Sequence, residues 1–384
     1  RTITEARHMR LLWISGRCLG SDLAGSTEVH LSSGLNSHGV EVTLLSPGNF
    51  LSDGFRHVSV GRVGIPGLQT LSGAFSIKKI IKSNPNLISK VDYILVDWRY
   101  VTFLKRELVN LNIPWAIIDR GPPATSGVMG SRIRRELLSN IQKKFWKSAW
   151  KIAGMHAIGG FVVSGEHDKL VRGFSRSLGT MIIPSGANPN KYLTSKENPH
   201  VSIKFAYVGR LDRKRGMTKI FDLSTALVER GIKHHISIAG EGDMSYEFDN
   251  ISQRNSNFTY LGKTDMMMTE RMLAEQHVGI MPMPDKPVWR ISSPIKLAEY
   301  AASGLAIVGP NHPGNRLPGR GRWDLLSEEE DWVSECVESL EEVINRGNWE
   351  AEVVRSALES SEDFGWGNIA AKMLESLKKM GSQS

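Results

Sequence analysis

The stretch SSPIKLAEYAASGLAIVGPN, residues 292–311, decides how the chain is read. Ser293 is a helix-capping residue type, and Pro294 suits a first helical position, where an N–H would have no acceptor. Good helix formers follow over Ile295–Ala302, Gly304 is placed to stop the helix, and the apolar run 305–308 reads as a buried strand. The unit is loop, helix, strand. A helix start offers unpaired N–H groups to phosphate or sugar oxygens. Glu299 lies just over one turn in, close enough to reach the same mouth. A carboxylate there accepts two hydrogen bonds from neighbouring hydroxyls such as those of a ribose. The other reading is a surface glutamate on an ordinary amphipathic helix.

The same alternation runs outward in both directions. Upstream in the second half, 204–208 reads as a strand, 209–216 as a loop and 217–230 as a helix; 235–239 is a strand running into Gly240-Glu241-Gly242. Then come a strand at 258–261, a helix at 269–276 and a strand at 278–282. In the first half, the strand 11–15 enters a loop with glycines at 16, 20 and 25, and Ser26 is placed to cap a helix that ends near Gly39. Strands at 40–45, 93–96, 116–118, 161–163 and 181–183 follow, with helices at 102–111 and 166–174. Strands alternating with helices predict parallel sheets with right-handed crossovers. The first loop has no strict GxGxxG, so it does not establish dinucleotide binding. Residues 184–199, rich in Pro, Asn and Ser, read as a linker between two α/β halves, and 368–380 as a final helix.

Composition narrows the classes. At 384 residues the chain suits two domains, and 40% apolar with 23% charged residues is that of a globular protein. Only two cysteines, Cys18 and Cys336, are present, which suits a reducing compartment and predicts a cytoplasmic protein. Neither a CxxC nor a His-rich cluster proposes a metal. The opening RTITEARHMR lacks the apolar core of a signal peptide, and Met9 is the expected natural start. A formal charge of +8 favours anionic partners: nucleotide phosphates, acidic lipid headgroups or nucleic acid.

Chemistry gathers in the second half. The loop GRLDRKRG sets Arg210 and Arg215 five apart on a glycine-flanked turn, with Lys214 adjacent. Two guanidiniums over a helix start make a diphosphate clamp, although a basic turn by itself is usually only solvated. The ordered series GRLDRKRG, AGEGD (239–243), YLGKT (260–264) and SPIKLAEYAASGLAIV carries more weight. In this series the chain resembles the retaining glycosyltransferases of family 4, which have the GT-B fold. Residues 184–188 (PSGAN) resemble the family's turn at the domain junction. Phe364-Gly365-Trp366 resembles the motif opening the helix that crosses back onto the N-terminal domain. The resemblance is specific in the second half and vague in the first.

It implies an α/β fold of two Rossmann-like domains facing a central cleft. Residues 1–184 would form the acceptor domain, 185–363 the donor domain, and 364–384 a helix packing back on the first. The donor would be a nucleotide diphosphate sugar and the acceptor a glycan, a lipid-linked molecule or a small molecule, with neither cofactor nor metal. Arg210 and Arg215 would stabilise the leaving diphosphate. Gly209, Ser293, Pro294 and Ile295 would line its site, Lys263 would lie near the base, and Glu299 would hold the ribose. Gly20 and Gly25 would let the first domain approach the donor. Asp119 or Arg120, where many members have a histidine, would meet acceptor or donor sugar; the alternative is a structural turn pair. Retention would follow from attack on the face the diphosphate leaves, a phosphate oxygen taking the acceptor's proton.

Two departures bear on activity. The family's loop lysine is Arg215 here, which keeps the charge and changes the geometry. The family's first glutamate, eight residues before Glu299, is Ile291. That keeps open a rival: a degenerate GT-B protein that binds nucleotide or membrane without transfer. A sugar-nucleotide epimerase on the same fold is a third option.

Residues 131–151 hold seven basic residues (Arg132, Arg134, Arg135, Lys143, Lys144, Lys147, Lys151) against one acid, Glu136. Ile133, Leu137, Ile141 and Phe145 recur every fourth position, with Trp146 and Trp150 alongside. This reads as an amphipathic helix able to lie on an anionic membrane surface through aromatic anchors, or as a core-facing helix with a solvated basic face. No motif supports nucleic acid as a partner.

Overall fold

The computed structural model describes residues 8–20, 25–65, 67–123, 132–194, 196–317, 321–328 and 330–382. They form two compact units, one of Arg1–Pro184 with Trp366–Ser384, the other of Ser185–Gly365. Each is built on its own parallel sheet.

Unit 1 has seven strands: β1 (Met9–Ile14), β2 (Val40–Ser46), β3 (Arg56–Ser59), β4 (Tyr93–Asp97), β5 (Trp115–Ile118), β6 (Gly159–Val162) and β7 (Thr180–Ile182). Their order is β3-β2-β1-β4-β5-β6-β7. β1, β4 and β5 are short apolar runs buried along almost their whole length, as strands covered by helices on both faces must be. β3 was not anticipated. Its RHVS has one apolar residue and lies half-exposed at the sheet edge, where a strand carries little hydrophobic signal. The long helix Arg132–His156 lies over this sheet, pinned by Trp146, Ala149, Trp150 and Ala153 in the core.

The last helix, Trp366–Ser382, buries Ile369, Ala370, Met373, Leu374 and Leu377, a stripe at helical spacing. It packs on the helix Ser26–Ser37. There Gly34 leaves room for Ala370, whose Cβ would lie 2.8 Å from a Cβ added at 34, and His30 stacks on Trp366 at 5.3 Å. Gly25, not Ser26, occupies the N-cap position of that first helix, and among the described residues no side chain caps it. The helix Trp98–Asn110 is capped properly: the Asp97 carboxylate accepts from the Arg99 N–H at 2.9 Å.

Unit 2 has six strands: β8 (Ile203–Val208), β9 (His234–Ala239), β10 (Phe258–Tyr260), β11 (Val278–Ile280), β12 (Ala306–Pro310) and β13 (Asp324–Ser327). The order β10-β9-β8-β11-β12-β13, all parallel, is that of a Rossmann sheet. β13 was missed for the same reason as β3: DLLS is a short edge strand. The helix Ile295–Ala302 and strand β12 match the loop–helix–strand reading of residues 292–311, and Gly304 ends the helix with φ +63°.

Candidate functional site

In unit 2 the chain leaves β8 to one side and β11 to the other. The carboxyl ends of these neighbouring strands therefore form the crevice where such sheets bind ligands. Glycine brings the loops together there. Gly209 and Gly240 end β8 and β9 with φ of +133° and +135°, and a Cβ on Gly240 would overlap the Gly209 carbonyl oxygen. Gly216 (φ +79°) similarly lets the loop 209–216 lie against the Pro282 carbonyl.

That loop presents its two arginines differently. Arg215 is half-buried, its guanidinium over the Trp289 ring at 4.7 Å, while the Arg210 side chain is 60% exposed. Between them sits an acid the sequence reading passed over. Asp212 Oδ1 is 3.0 Å from Arg210 Nη2, and its Oδ2 is 3.5 Å from Arg215 Nε. Hydrogen bonding and the charge of Arg210, with Arg215 and Lys214 behind them, overcome burial and hold the Asp212 carboxyl below its usual range. The two arginines are thus tied through one carboxylate. Arg213 turns away to Glu247 at 2.8 Å, and Lys214 is exposed.

Across the crevice, the expected roles of residues 293–295 need correction. Ser293 does not cap the helix. Its hydroxyl oxygen accepts from the Ser185 N–H at 2.8 Å, and the Ser185 hydroxyl donates to the Ser293 carbonyl at 2.6 Å. Pro294 stands at the N-cap position rather than the first helical one, and as a proline it has no N–H to offer a phosphate. Ile295 and Lys296 are the first two helical residues, whose N–H groups have no acceptor within the helix.

Lys296 is the residue that the sequence reading missed. Its Nζ donates to Tyr207 Oη at 3.1 Å, lies over the Tyr207 ring at 4.2 Å, and sits 3.1 Å from where a Gly209 Cβ would be. Burial, assisted by Arg215, pushes its amino group down to about 7. Glu299, one turn on, is pushed up to about 7 by burial, opposed by Lys296. Lys296 thus feels the charges of both Arg215 and Glu299. The lysine was readable in principle: three residues before Glu299, it shares that face of the helix. Lys263 is exposed just beyond Gly262, at the end of the edge strand β10. Ile291 follows the short helix Pro287–Arg290 and is half-buried.

The unit 1 residues divide. Gly20 (φ +83°) and Gly25 lie in the loop after β1, where an added Cβ would crowd the Asn49 and Cys18 carbonyl oxygens at 3.3 and 3.1 Å. Part of that loop, 21–24, lies outside the described residues. Asp119 is fully buried. Its Oδ2 accepts from the indole N–H groups of Trp146 (2.5 Å) and Trp150 (2.9 Å) and lies 3.3 Å from His167 Nε2; Oδ1 accepts from the Gly121 N–H. With that set of partners it is a structural anion fixing the helix Arg132–His156. Arg120 instead remains half-exposed and donates to the Ile183 carbonyl at 2.5 Å.

The same contacts correct the reading of the basic helix. Trp146 and Trp150 are core residues bound to Asp119, not membrane anchors. Leu137, Ile141 and Phe145 are exposed along one face (59%, 40% and 40%), and Lys143, Lys144, Lys147 and Lys151 are exposed beside them. The side chains of Arg132, Ile133, Arg134 and Arg135 lie outside the described residues.

Residues 202–346 match the family described as glycosyl transferases, group 1. Unit 2 thus carries a group 1 glycosyltransferase domain. No curated protein sequence matches the chain. Among solved structures, sucrose-phosphate synthase from Thermosynechococcus elongatus is 15% identical with a TM-score of 0.74, covering 98% of this chain and 100% of that one. WaaG, a glycosyltransferase involved in lipopolysaccharide biosynthesis, is 11% identical (TM-score 0.66; 96% and 99% covered). Anabaena HepE, solved with UDP and glucose, is 15% identical (TM-score 0.68; 97% and 100% covered). Identities this low establish the fold, which is GT-B. Among the described residues, no three His, Cys, Asp or Glu side chains are grouped to hold a metal ion, and no helix is long and apolar enough to cross a membrane.

Proposed function

We propose that the protein is a retaining glycosyltransferase, with unit 2 as its donor domain and unit 1 as its acceptor domain. What supports this is the position of Arg215 in the loop after β8 and of Lys296 and Glu299 on the helix between β11 and β12, inside the stretch that matches group 1 glycosyl transferases. The donor is a nucleotide diphosphate sugar. HepE has been solved with UDP-glucose, which makes UDP-sugars the first to test. Arg215 and Lys296 face the diphosphate, with Arg210 at its outer edge, and the N–H groups of Ile295 and Lys296 add donors. An arriving anion restores the proton to Lys296. As the glycosidic bond breaks, negative charge grows on the leaving phosphate oxygen, where these cations stabilise it most. Glu299 accepts from the ribose hydroxyls, and Lys263 lies toward the base. The acceptor hydroxyl attacks from the leaving group's side, and its proton passes to a phosphate oxygen.

The test is to incubate the protein with a panel of nucleotide sugars and acceptor extracts, measure free nucleoside diphosphate, and assign the product's anomeric configuration by NMR. Release only with acceptor, and a retained anomer, are expected. Tight nucleotide binding with no release under any condition would return the non-transferring rival, and an altered sugar without acceptor would indicate epimerisation.

The exposed Leu137–Ile141–Phe145 face with its four lysines supports docking on the inner face of an anionic membrane, which suits a lipid-linked acceptor. Sedimentation with anionic but not neutral vesicles, reduced by Lys143→Glu with Lys147→Glu, is the expected result.

A further inference from the structure

Unit 1 has its own switch point, between β1 and β4, near which the sequence reading named Gly20, Gly25, Asp119 and Arg120. The structure gathers three arginines there. Arg17 follows β1, Arg99 follows β4 and Arg120 follows β5. Arg99 Nη1 pairs with Asp97 at 2.7 Å, and its chain lies over Gly16, 3.0 Å from where a Cβ would be. Asp97 also accepts from the Gly16 N–H at 3.3 Å. Opposite is Glu28, in the first turn of the helix Ser26–Ser37 and only 2% exposed. Its Oε1 accepts from Ser15 Oγ at 3.2 Å and lies 4.0 Å from Arg17 Nε.

Among the described residues, two atoms of this cluster lack a hydrogen-bond partner although buried: Glu28 Oε2 and Arg17 Nε. Buried polar atoms in folded proteins are nearly always bonded, so an acceptor and a donor left open side by side mark a place for something else. What fits must present a hydroxyl to the carboxyl and a negative charge to the guanidiniums. Of the acids present, Asp97 is engaged with Arg99, and Asp119, behind it, with two indoles. Burial pushes Glu28 up to about 7, against the pull of Arg17 and Arg120, so near neutrality it is only partly charged. The arginines therefore outweigh the acids.

We propose that the β1/β4 mouth of unit 1 binds a hydroxylated phosphate, Arg17, Arg99 and Arg120 taking the phosphate and Glu28 an adjacent hydroxyl. Its assignment as the acceptor's site rests on the transfer reading above; the binding itself is measured apart from turnover. Phosphate matches the fork of a guanidinium with paired N–H···O bonds. The phosphate belongs either to a soluble monoester or to a lipid headgroup.

The experiment is equilibrium binding of glycerol phosphate to the full chain, with UDP held in excess to fill unit 2. One saturable site is expected. Arg17→Gln, which removes a partly exposed side chain, weakens it by about tenfold or more. Glu28→Ala weakens glycerol phosphate about fivefold and leaves inorganic phosphate bound at least as well, because only the hydroxyl contact is lost. Glu28→Gln keeps the shape and serves if the alanine variant is unstable. In a parallel arm, cosedimentation with phosphatidylglycerol vesicles that depends on Arg17 assigns the phosphate to a lipid; glycerol phosphate binding without that dependence assigns it to a soluble monoester. Arg215→Gln leaves glycerol phosphate binding unchanged, and its turnover tests the transfer reading separately. No saturable binding of either probe to the unmodified chain, or equal binding by Arg17→Gln, overturns the proposal.

Discussion

The two sheets put the same topological feature to different use. At the β8/β11 mouth of unit 2, glycines bring backbone against backbone, Gly240 against the Gly209 carbonyl and Gly216 against that of Pro282. At the β1/β4 mouth of unit 1 the lining is side chain: three arginines, two carboxylates and a serine. A mouth lined by backbone suits a ligand recognised through phosphates common to many nucleotides, whereas one lined by side chains can be rebuilt for a particular partner. The sheet order is shared; the chemistry is set by the residues immediately after each strand.

The comparison can be broken in several ways. The largest effect expected is on stability. Asp119→Ala leaves two indole donors buried without their acceptor and should cost about 3–5 kcal/mol in urea denaturation. A loss below about 1 kcal/mol would mean the carboxylate does not hold the helix and would reopen it as a ligand group. Next is Arg215→Ala, which should lower turnover by about 10²–10³ with an unchanged melting temperature. Equal loss of turnover and stability would make Arg215 a packing residue on Trp289.

Glu28 sharpens the contrast through pH. Its folded carboxyl is at about 7, above its usual 4.5, so the folded chain holds this proton more tightly than the unfolded one. Its contribution is complete below the unfolded value and is lost as pH rises through the folded one, roughly 3 kcal/mol in all. Relative to Glu28→Gln, the unmodified chain should lose about that much between about pH 5 and pH 8 in paired denaturation curves. Parallel curves would show that Glu28 is not held protonated.

The smaller effects lie in unit 2. Glu299→Ala should weaken UDP binding by about 2 kcal/mol in calorimetry, the worth of a charge-assisted hydrogen bond or two, without unfolding the chain. Arg210→Ala should lower turnover about tenfold or less, since its exposed side chain is screened by water and held to Asp212. A loss as large as that of Arg215→Ala would make the two arginines equal.

The sequence made the strand–helix alternation legible because buried parallel strands are written as short apolar runs between glycine loops. The edge strands β3 and β13 stayed hidden because little of either is buried. Arg210, Arg215 and Glu299 stand out by residue type, and the structure places them on the two elements flanking one crevice. Lys296 did not stand out, since a lysine on a helix is ordinarily solvated, and only its seat over Gly209 and Tyr207 removes it from water. Asp119 stayed undecided in the sequence for the converse reason. An acid after a strand reads as a ligand group until its indole partners, 27 and 31 residues away in the chain, are seen. Arg17, Arg99 and Glu28 are scattered over three segments that only the sheet order unites.

The paired Ser185–Ser293 hydrogen bonds make one amide a gauge of the crevice. The Ser185 N–H is latched to the segment that begins the helix of Lys296 and Glu299, so its exchange with deuterated solvent tracks how often that segment lets go. Nucleotide that steadies the helix should slow this proton well before any product forms, giving a readout of occupancy that requires no knowledge of the sugar.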